Sequence, residues 1–320
     1  MKLYSSKKEK LESVELRPFK TEKEIQDLVE SNSEEFFNLE FIDTEVTVGK
    51  YRLDSLCFDN ESNSFVIVEY KKGSSYSVID QGYTYLQLLL NNKSDFLLIL
   101  SQHLDKVLKQ NDVDWSQSRI IFISQSFNSY QKDSVNFKNL PFELYEIKRF
   151  ENDTVIIDKH ESSSNESIEN LASSKGGSVI KEVNKEVKVY EESFHIDKLK
   201  NKKVKEYWEV LKNKLVEIEG IGTKITNQYI KFEFNGKGLA YCHFRSEKII
   251  ADINRGNIKP DGTTSKNFFN FDDPKNVAEE VDWEWKSGVK GNIYKIELDK
   301  DSDLDYFFFL INQKIKNLTK

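Results

Sequence analysis

The chain has 320 residues, 38% hydrophobic and 12% aromatic, enough for two ordinary domains with cores of their own and too apolar to be disordered throughout. A formal net charge of −7 argues against a protein that grips nucleic acid by bulk charge, so phosphate contacts have to come from local lysines or a bound cation. Two cysteines (Cys57 and Cys242) and four histidines without ligand spacing give no basis for a disulfide framework or a zinc site. No apolar run reaches membrane-span length and MKLYSSKKEK lacks a signal-peptide core, so a cytoplasmic setting without membrane contact is expected.

A basic, polar arm (Ser5 to Lys10) leads to a predicted helix from about Thr21 to Ser31. There Thr21-Glu22-Lys23-Glu24 reads as a capping box with Glu24 at its third position. Strands follow near Asp43 to Val48, Tyr51 to Phe58 and Phe65 to Tyr70. In FVIVEYKK side chains alternate, so Glu69 and Lys71 share a face and Tyr70 takes the other. Phe65 to Val68 form the apolar run of a strand buried on both faces, and an ionisable pair ending such a strand is costly unless it binds something. DNESNS is a plausible hairpin loop, which lets an antiparallel pair bring Asp54 beside Glu69. Two carboxylates so placed repel unless a divalent cation lies between them, and hard oxygen ligands favour Mg²⁺ or Mn²⁺ over zinc. A helix beginning near Val78 shows Gln81 and Tyr85 one turn apart on one face.

These residues resemble the PD-(D/E)xK nuclease superfamily. Its signature reads here as Asp54, then Glu69-Tyr70-Lys71, and Gln81-x-x-x-Tyr85 matches the QxxxY helix of its RecB-like and NucS-like branch. In similar chains a further domain of uncharacterised function follows. The matching segments are Arg52 to Leu56, Val66 to Lys71 and Gln81 to Leu86, within the first half of the chain. Leu53 stands where the signature often has proline.

The resemblance implies a restriction-endonuclease-like mixed α/β sheet flanked by helices. It also implies a Mg²⁺- or Mn²⁺-dependent deoxyribonuclease in DNA repair, restriction or defence. Asp54 and Glu69 would hold the metal with the Tyr70 carbonyl, and Glu24 would match an additional acid. Lys71 would serve the attacking water and Gln81 would position water or phosphate, while Arg52, Lys72 and Tyr85 would meet nucleic acid. DNA is the implied partner. RNA cleavage is equally open to the metal chemistry, a homodimer is open, and an inactive nucleic-acid- or protein-binding module is the alternative class.

Further along, a strand is predicted at Asp95 to Leu100, a helix around Leu104 to Gln110 and a strand at Arg119 to Ser124. A short helix near Asn128 to Phe137 precedes strands at Phe142 to Phe150 and Thr154 to Asp158. Alternating strands and helices imply parallel members in the sheet. The expected organisation is therefore a nuclease-like domain over residues 1–160, a serine-rich polar linker over 161–193, and an α+β domain over 194–320 for substrate or partner recognition.

The last region is predicted to open with a helix from Ile196 to Val216. Strands follow at Tyr229 to Phe234, Leu239 to Phe244, Ile249 to Ile253 and Asn292 to Leu298, then a helix near Leu304 to Ile315. The lysines from Lys198 to Lys205 read first as a solvated face. Gly220-Ile221-Gly222 is a weak phosphate-loop signal, and Trp283 and Trp285 read first as sheet covering and only second as stacking platforms.

Overall fold

The structure, a computed structural model, describes residues 2–7, 9–71, 78–137, 139–161, 177–259, 261–265, 268–284 and 289–319. The chain divides into two compact units, Met1–Val189 and Tyr190–Lys320.

In the first unit the expected polar arm is instead a hairpin of β1 (Leu3–Lys7) and β2 (Lys10–Val14). Its turn is made by Glu9 with a positive φ, a conformation that composition alone does not signal. Helices α1 (Glu22–Glu30) and α2 (Ser33–Phe37) precede the six-stranded sheet. The sheet comprises β3 (Glu40–Val48), β4 (Tyr51–Asp59), β5 (Ser64–Lys71), β6 (Arg119–Ser124), β7 (Phe142–Arg149) and β8 (Val155–Lys159), hydrogen-bonded in that order. The β5–β6 and β6–β7 pairs are parallel and the other three antiparallel. This is the mixed, helix-flanked sheet that the resemblance implies.

The β4–β5 turn forms as the sequence predicts. Asp59 Oδ1 accepts the N–H groups of Glu61 and Ser62 at 3.0 and 3.2 Å, and Asn63 supplies a positive φ.

The alternation read in β5 holds. Phe65 and Ile67 pack on one side of the sheet with α3 (Val78–Asn91) and α4 (Lys93–His103), while Val66, Val68 and Tyr70 pack on the other with Ile25 and Val29 of α1. Each such fully buried side chain contributes about 1.5–3 kcal/mol, which fixes the face on which Glu69 and Lys71 emerge.

The predicted strand at Asp95 to Leu100 is the body of α4. Phe96, Leu97 and Leu100 are buried while Leu98 is 58% exposed, a helical stripe that a continuous apolar run conceals. The helix expected around Leu104 to Gln110 is absent; a single 3₁₀ turn spans Gln110–Asp112. Helix α5 (Ser129–Ser134) lies where predicted.

Residues 162–176 of the expected linker lie outside the described residues. Its later part is α6 (Gly177–Glu186), which belongs to the first unit; Val183 of the helix and Val187 just beyond its end are buried in the α3 core. Gln87 and Tyr83 of α3 hydrogen-bond to Glu182 and Asn184 at 3.0 and 3.3 Å.

The second unit begins with two helices in place of one long one, α7 (Glu192–Ile196) and α8 (Lys202–Val216). An antiparallel six-stranded sheet follows: β9 (Ile221–Ile225), β10 (Ile230–Phe234), β11 (Lys237–Phe244), β12 (Ile249–Ile258), β13 (Ala278–Glu284) and β14 (Lys290–Leu298). Its order is β13-β14-β12-β11-β10-β9. Trp208, Leu211 and Leu215 of α8 and Phe307, Leu310 and Ile311 of α9 (Leu304–Leu318) form its core with Phe232, Phe244 and Leu298. The Gly220-Ile221-Gly222 segment is a turn entering β9, with Gly220 at positive φ, and not a phosphate loop. Trp283 lies against Gly291 on the neighbouring strand, and Trp285 is outside the described residues. Among the described residues no helix is long and apolar enough to cross a membrane.

Candidate active site

The site forms where two strands part. The β4–β5 ladder runs from Asp59↔Ser64 to Ser55↔Val68 and stops. Beyond Ser55, β4 stays with β3, whereas β5 continues along β6 as far as Lys71↔Ser124. In the opening, the Asp54 side chain takes the place of a strand partner: its Oδ2 accepts the Tyr70 N–H at 3.0 Å. Asp54 is thereby fixed beside the end of β5, the place that the hairpin argument assigns to it.

On the α3 side, Lys71 Nζ donates to Glu69 Oε1 at 2.9 Å and Gln81 Nε2 donates to the same oxygen at 2.7 Å. Gln81 Nε2 also contacts Tyr85 Oη at 2.9 Å, and Tyr85 Oη donates to the Arg52 carbonyl at 3.3 Å. One chain of contacts therefore runs from β4 through α3 to Glu69 and Lys71. Gly82 permits it, because a Cβ there would stand 2.7 Å from the Phe142 ring; only glycine lets this helix lie so close to the sheet.

The electrostatics follow from this crowding. Burial and then the Asp54 charge push the Glu69 carboxyl up to about 7, against the lowering by Lys71 and Gln81. Asp54 is also raised, first by burial, with the Tyr70 N–H and Lys71 opposing and Glu22 adding to the rise. Tyr85 is pushed up to about 12 by burial and then by Glu69, so its hydroxyl stays protonated near neutral pH. Glu69 Oε2 is buried and, among the described residues, has no hydrogen-bond partner. A buried carboxylate oxygen left bare costs about 1–3 kcal/mol or more, which calls for a proton or a cation. The donor set of Asp54, Glu69 and a backbone carbonyl is hard oxygen and fits Mg²⁺ or Mn²⁺. Among the described residues no three acidic, imidazole or thiol side chains converge as a ready-made metal cage.

The remaining expected residues separate. The Tyr70 hydroxyl faces away, 3.1 Å from Ser55 Oγ on the α1 side, so Tyr70 could contribute only its carbonyl. Glu24 does not join the site. Its N–H caps on Thr21 Oγ1 at 3.1 Å, and its carboxylate accepts from Arg149 Nη2 at 3.1 Å and Lys20 N–H at 3.3 Å. The α1 acid whose charge reaches Asp54 is Glu22, which the sequence reading missed. Helix rotation decides this: Glu22 lies one turn before Gln26, and buried Gln26 donates to the Asp54 carbonyl at 2.9 Å, a contact that no sequence signal announces. Arg52 is 60% exposed and ion-paired with Glu45, and Lys72 lies outside the described residues.

Fold and site together define a mixed-sheet α/β protein with an acid, acid and lysine gathered where two strands diverge. An uncharacterised protein of Haemophilus influenzae is 36% identical over 323 residues, covering 99% of this chain and 100% of the relative. The chain belongs to the family of that Haemophilus protein. No protein-family model matches. Among solved structures, EndoMS in complex with dsDNA is 19% identical with a TM-score of 0.22, covering 41% of this chain and 47% of that one. Pyrococcus furiosus SfsA in complex with Ca²⁺ is 14% identical with a TM-score of 0.23, covering 43% and 63%. The match thus spans less than two thirds of either solved chain, and neither likeness bears on the side chains of the site.

Proposed function

We propose that the protein is a Mg²⁺- or Mn²⁺-dependent nuclease that hydrolyses phosphodiester bonds, with DNA as the first substrate class and RNA open to the same chemistry. The observation that carries this reading is Glu69. A buried carboxylate with a charge partner on one oxygen, no hydrogen bond to the other among the described residues, and a second acid beside it is poised for a cation.

Asp54 and Glu69 would hold the ion with the Tyr70 carbonyl, and Glu22 is the acid best placed to support it from α1. When bound, the cation would supply a water of lowered pKa and offset charge on the phosphoryl oxygens. Lys71 holds a positive charge next to Glu69, where it can stabilise the negative charge that develops during phosphoryl displacement. Gln81 orients Glu69, and Tyr85 holds Gln81 in place.

A non-cutting, nuclease-fold binding module is the second reading, favoured by the lack of a preformed three-residue cage among the described residues. Incubation of the purified protein with single-stranded, duplex and branched DNA and with RNA, in Mg²⁺ and in Mn²⁺, separates the two. Metal-dependent cleavage that disappears in an Asp54→Ala, Glu69→Ala variant supports the nuclease. Binding without cleavage on every substrate supports the module.

A further inference from the structure

A polar stripe that runs from exposed Glu22 through buried Gln26 to half-buried Glu30 marks the underside of the site. Glu22, Gln26 and Glu30 are spaced four residues apart on α1, so they share the helix face that lies along β4. Gln26 is 6% exposed, and its Nε2 lies 2.9 Å from the Asp54 carbonyl, 3.0 Å from Thr44 Oγ1 and 2.8 Å from Glu30 Oε1. The same Glu30 oxygen accepts from Thr44 Oγ1 at 2.8 Å and Ser55 Oγ at 2.6 Å, and Ser55 Oγ is 3.1 Å from the Tyr70 hydroxyl. The network therefore touches the residue after Asp54 on β4 and the residue after Glu69 on β5.

The sheet itself is distorted at this spot. Thr44 and Ser55 are register partners whose hydroxyls face α1. Val46 and Leu53, the partners two residues further along, are buried on the opposite side with the α3 core. In a regular strand, residues two apart share a face. Both strands thus reverse their faces between these pairs, at Glu45 and Asp54. Glu45 has φ +52°, a left-handed conformation uncommon for glutamate and out of place in a strand. The register between these pairs is unbroken, and the ladder's register shift lies between Phe41 and Asp43, so the reversal is a local turn of the backbone and not an inserted residue. Here the reversal accompanies an Asp54 carboxylate turned toward the Tyr70 N–H, while Gln26 holds the Asp54 carbonyl.

We infer that Gln26, braced by Glu30, together with the left-handed Glu45, is a positioning device that aims the Asp54 carboxylate into the opening between β4 and β5. This rests on the reading of Asp54 as a cation ligand, so the test has one arm that needs no metal. The first arm measures backbone amide exchange of Tyr70 in metal-free protein, relative to the amides of β6. Gln26→Met keeps the side-chain length and removes the donor. It is expected to speed Tyr70 exchange at least about tenfold, because the Asp54 acceptor loses its aim.

Ser33→Ala serves as the control for lost stability alone, since it removes another buried hydrogen bond, from Ser33 Oγ to the Leu39 carbonyl at 2.9 Å, which is not part of the network that reaches Asp54. It is expected to leave the relative Tyr70 rate unchanged. The second arm titrates Mn²⁺ calorimetrically well below the melting temperature. Gln26→Met should bind about 10–100-fold more weakly, the usual effect of losing a supporting hydrogen bond behind a metal ligand, and Ser33→Ala should bind like wild type. Glu45→Asn, which tolerates left-handed backbone, should also bind like wild type, while Glu45→Val should not.

Unchanged Tyr70 exchange in Gln26→Met, or an equal change in Ser33→Ala, overturns the positioning role. The exchange effect in Gln26→Met, together with a wild type that binds no Mn²⁺, upholds the device and overturns the metal reading instead.

Discussion

Replacing Glu69 by glutamine separates the charge of that residue from its shape. In the metal-free protein its carboxyl rises from an ordinary 4.5 to about 7, first through burial and then through Asp54. Between those pH values the folded protein keeps a proton that the unfolded chain has released. Its contribution to stability is therefore fully present below pH 4.5 and is lost as pH rises through about 7. At about 1.36 kcal/mol per pH unit the gap corresponds to about 3 kcal/mol. Glutamine carries no charge to bury and can still accept from Gln81 and Lys71. Glu69→Gln should therefore match wild type near pH 4 and exceed it by up to about 3 kcal/mol at pH 8 in chelator. That corresponds to a melting transition of the first unit raised by about 6–12 °C. Mg²⁺ should stabilise wild type, by about 2.7 kcal/mol at a hundredfold excess over Kd, and leave the variant unmoved. The assay is thermal or urea unfolding across this pH range with and without Mg²⁺. A variant less stable than wild type at pH 8 would refute the reasoning, because Glu69 would then be a charge satisfied without metal.

Other substitutions test separate parts of the site. Lys71→Met is expected to lower the cleavage rate about 10²–10³-fold with little change in KM, as measured by steady-state kinetics on the best substrate. Glu22→Gln should weaken Mn²⁺ binding while Glu24→Gln leaves it unchanged; equal effects would restore Glu24 to the site. Gly82→Ala should lose about 1–3 kcal/mol in urea unfolding, because its methyl group meets the Phe142 ring at 2.7 Å, and should lower activity by lifting Gln81 away. Tyr85→Phe should cost about 0.5–1.5 kcal/mol through its lost hydroxyl contacts and leave the fold intact by circular dichroism.

How much of this was legible in the sequence varies with what carries the information. Strand β5 was readable because its apolar run is flanked by a hairpin loop and ends in charges, so alternation alone assigned Glu69, Tyr70 and Lys71 to faces. Gln81 and Tyr85 followed from helical spacing. Helix α4 was misread because six consecutive residues of DFLLIL fit a buried strand as well as a buried helix. Helix α6 was hidden in a polar stretch, although Val179, Ile180, Val183 and Val187 carry the stripe that packs on α3.

The choice between Glu22 and Glu24 depended on helix rotation. The capping box located the start of α1, but only the packing of Gln26 on Asp54 determined which acid faces the strand. The face reversal at Glu45 and Asp54 carried no local signal, since neither Thr44-Glu45-Val46 nor Leu53-Asp54-Ser55 contains glycine or proline.

The central claim is that Asp54 and Glu69 share one divalent cation. Calorimetric titration of Mn²⁺ into wild type, Asp54→Asn and Glu69→Gln at pH 7.5 addresses it most directly. One binding event in wild type, lost in each single variant while both remain folded, is the predicted result. A wild type that takes up no ion, or an Asp54→Asn variant that binds as tightly as wild type, would contradict it.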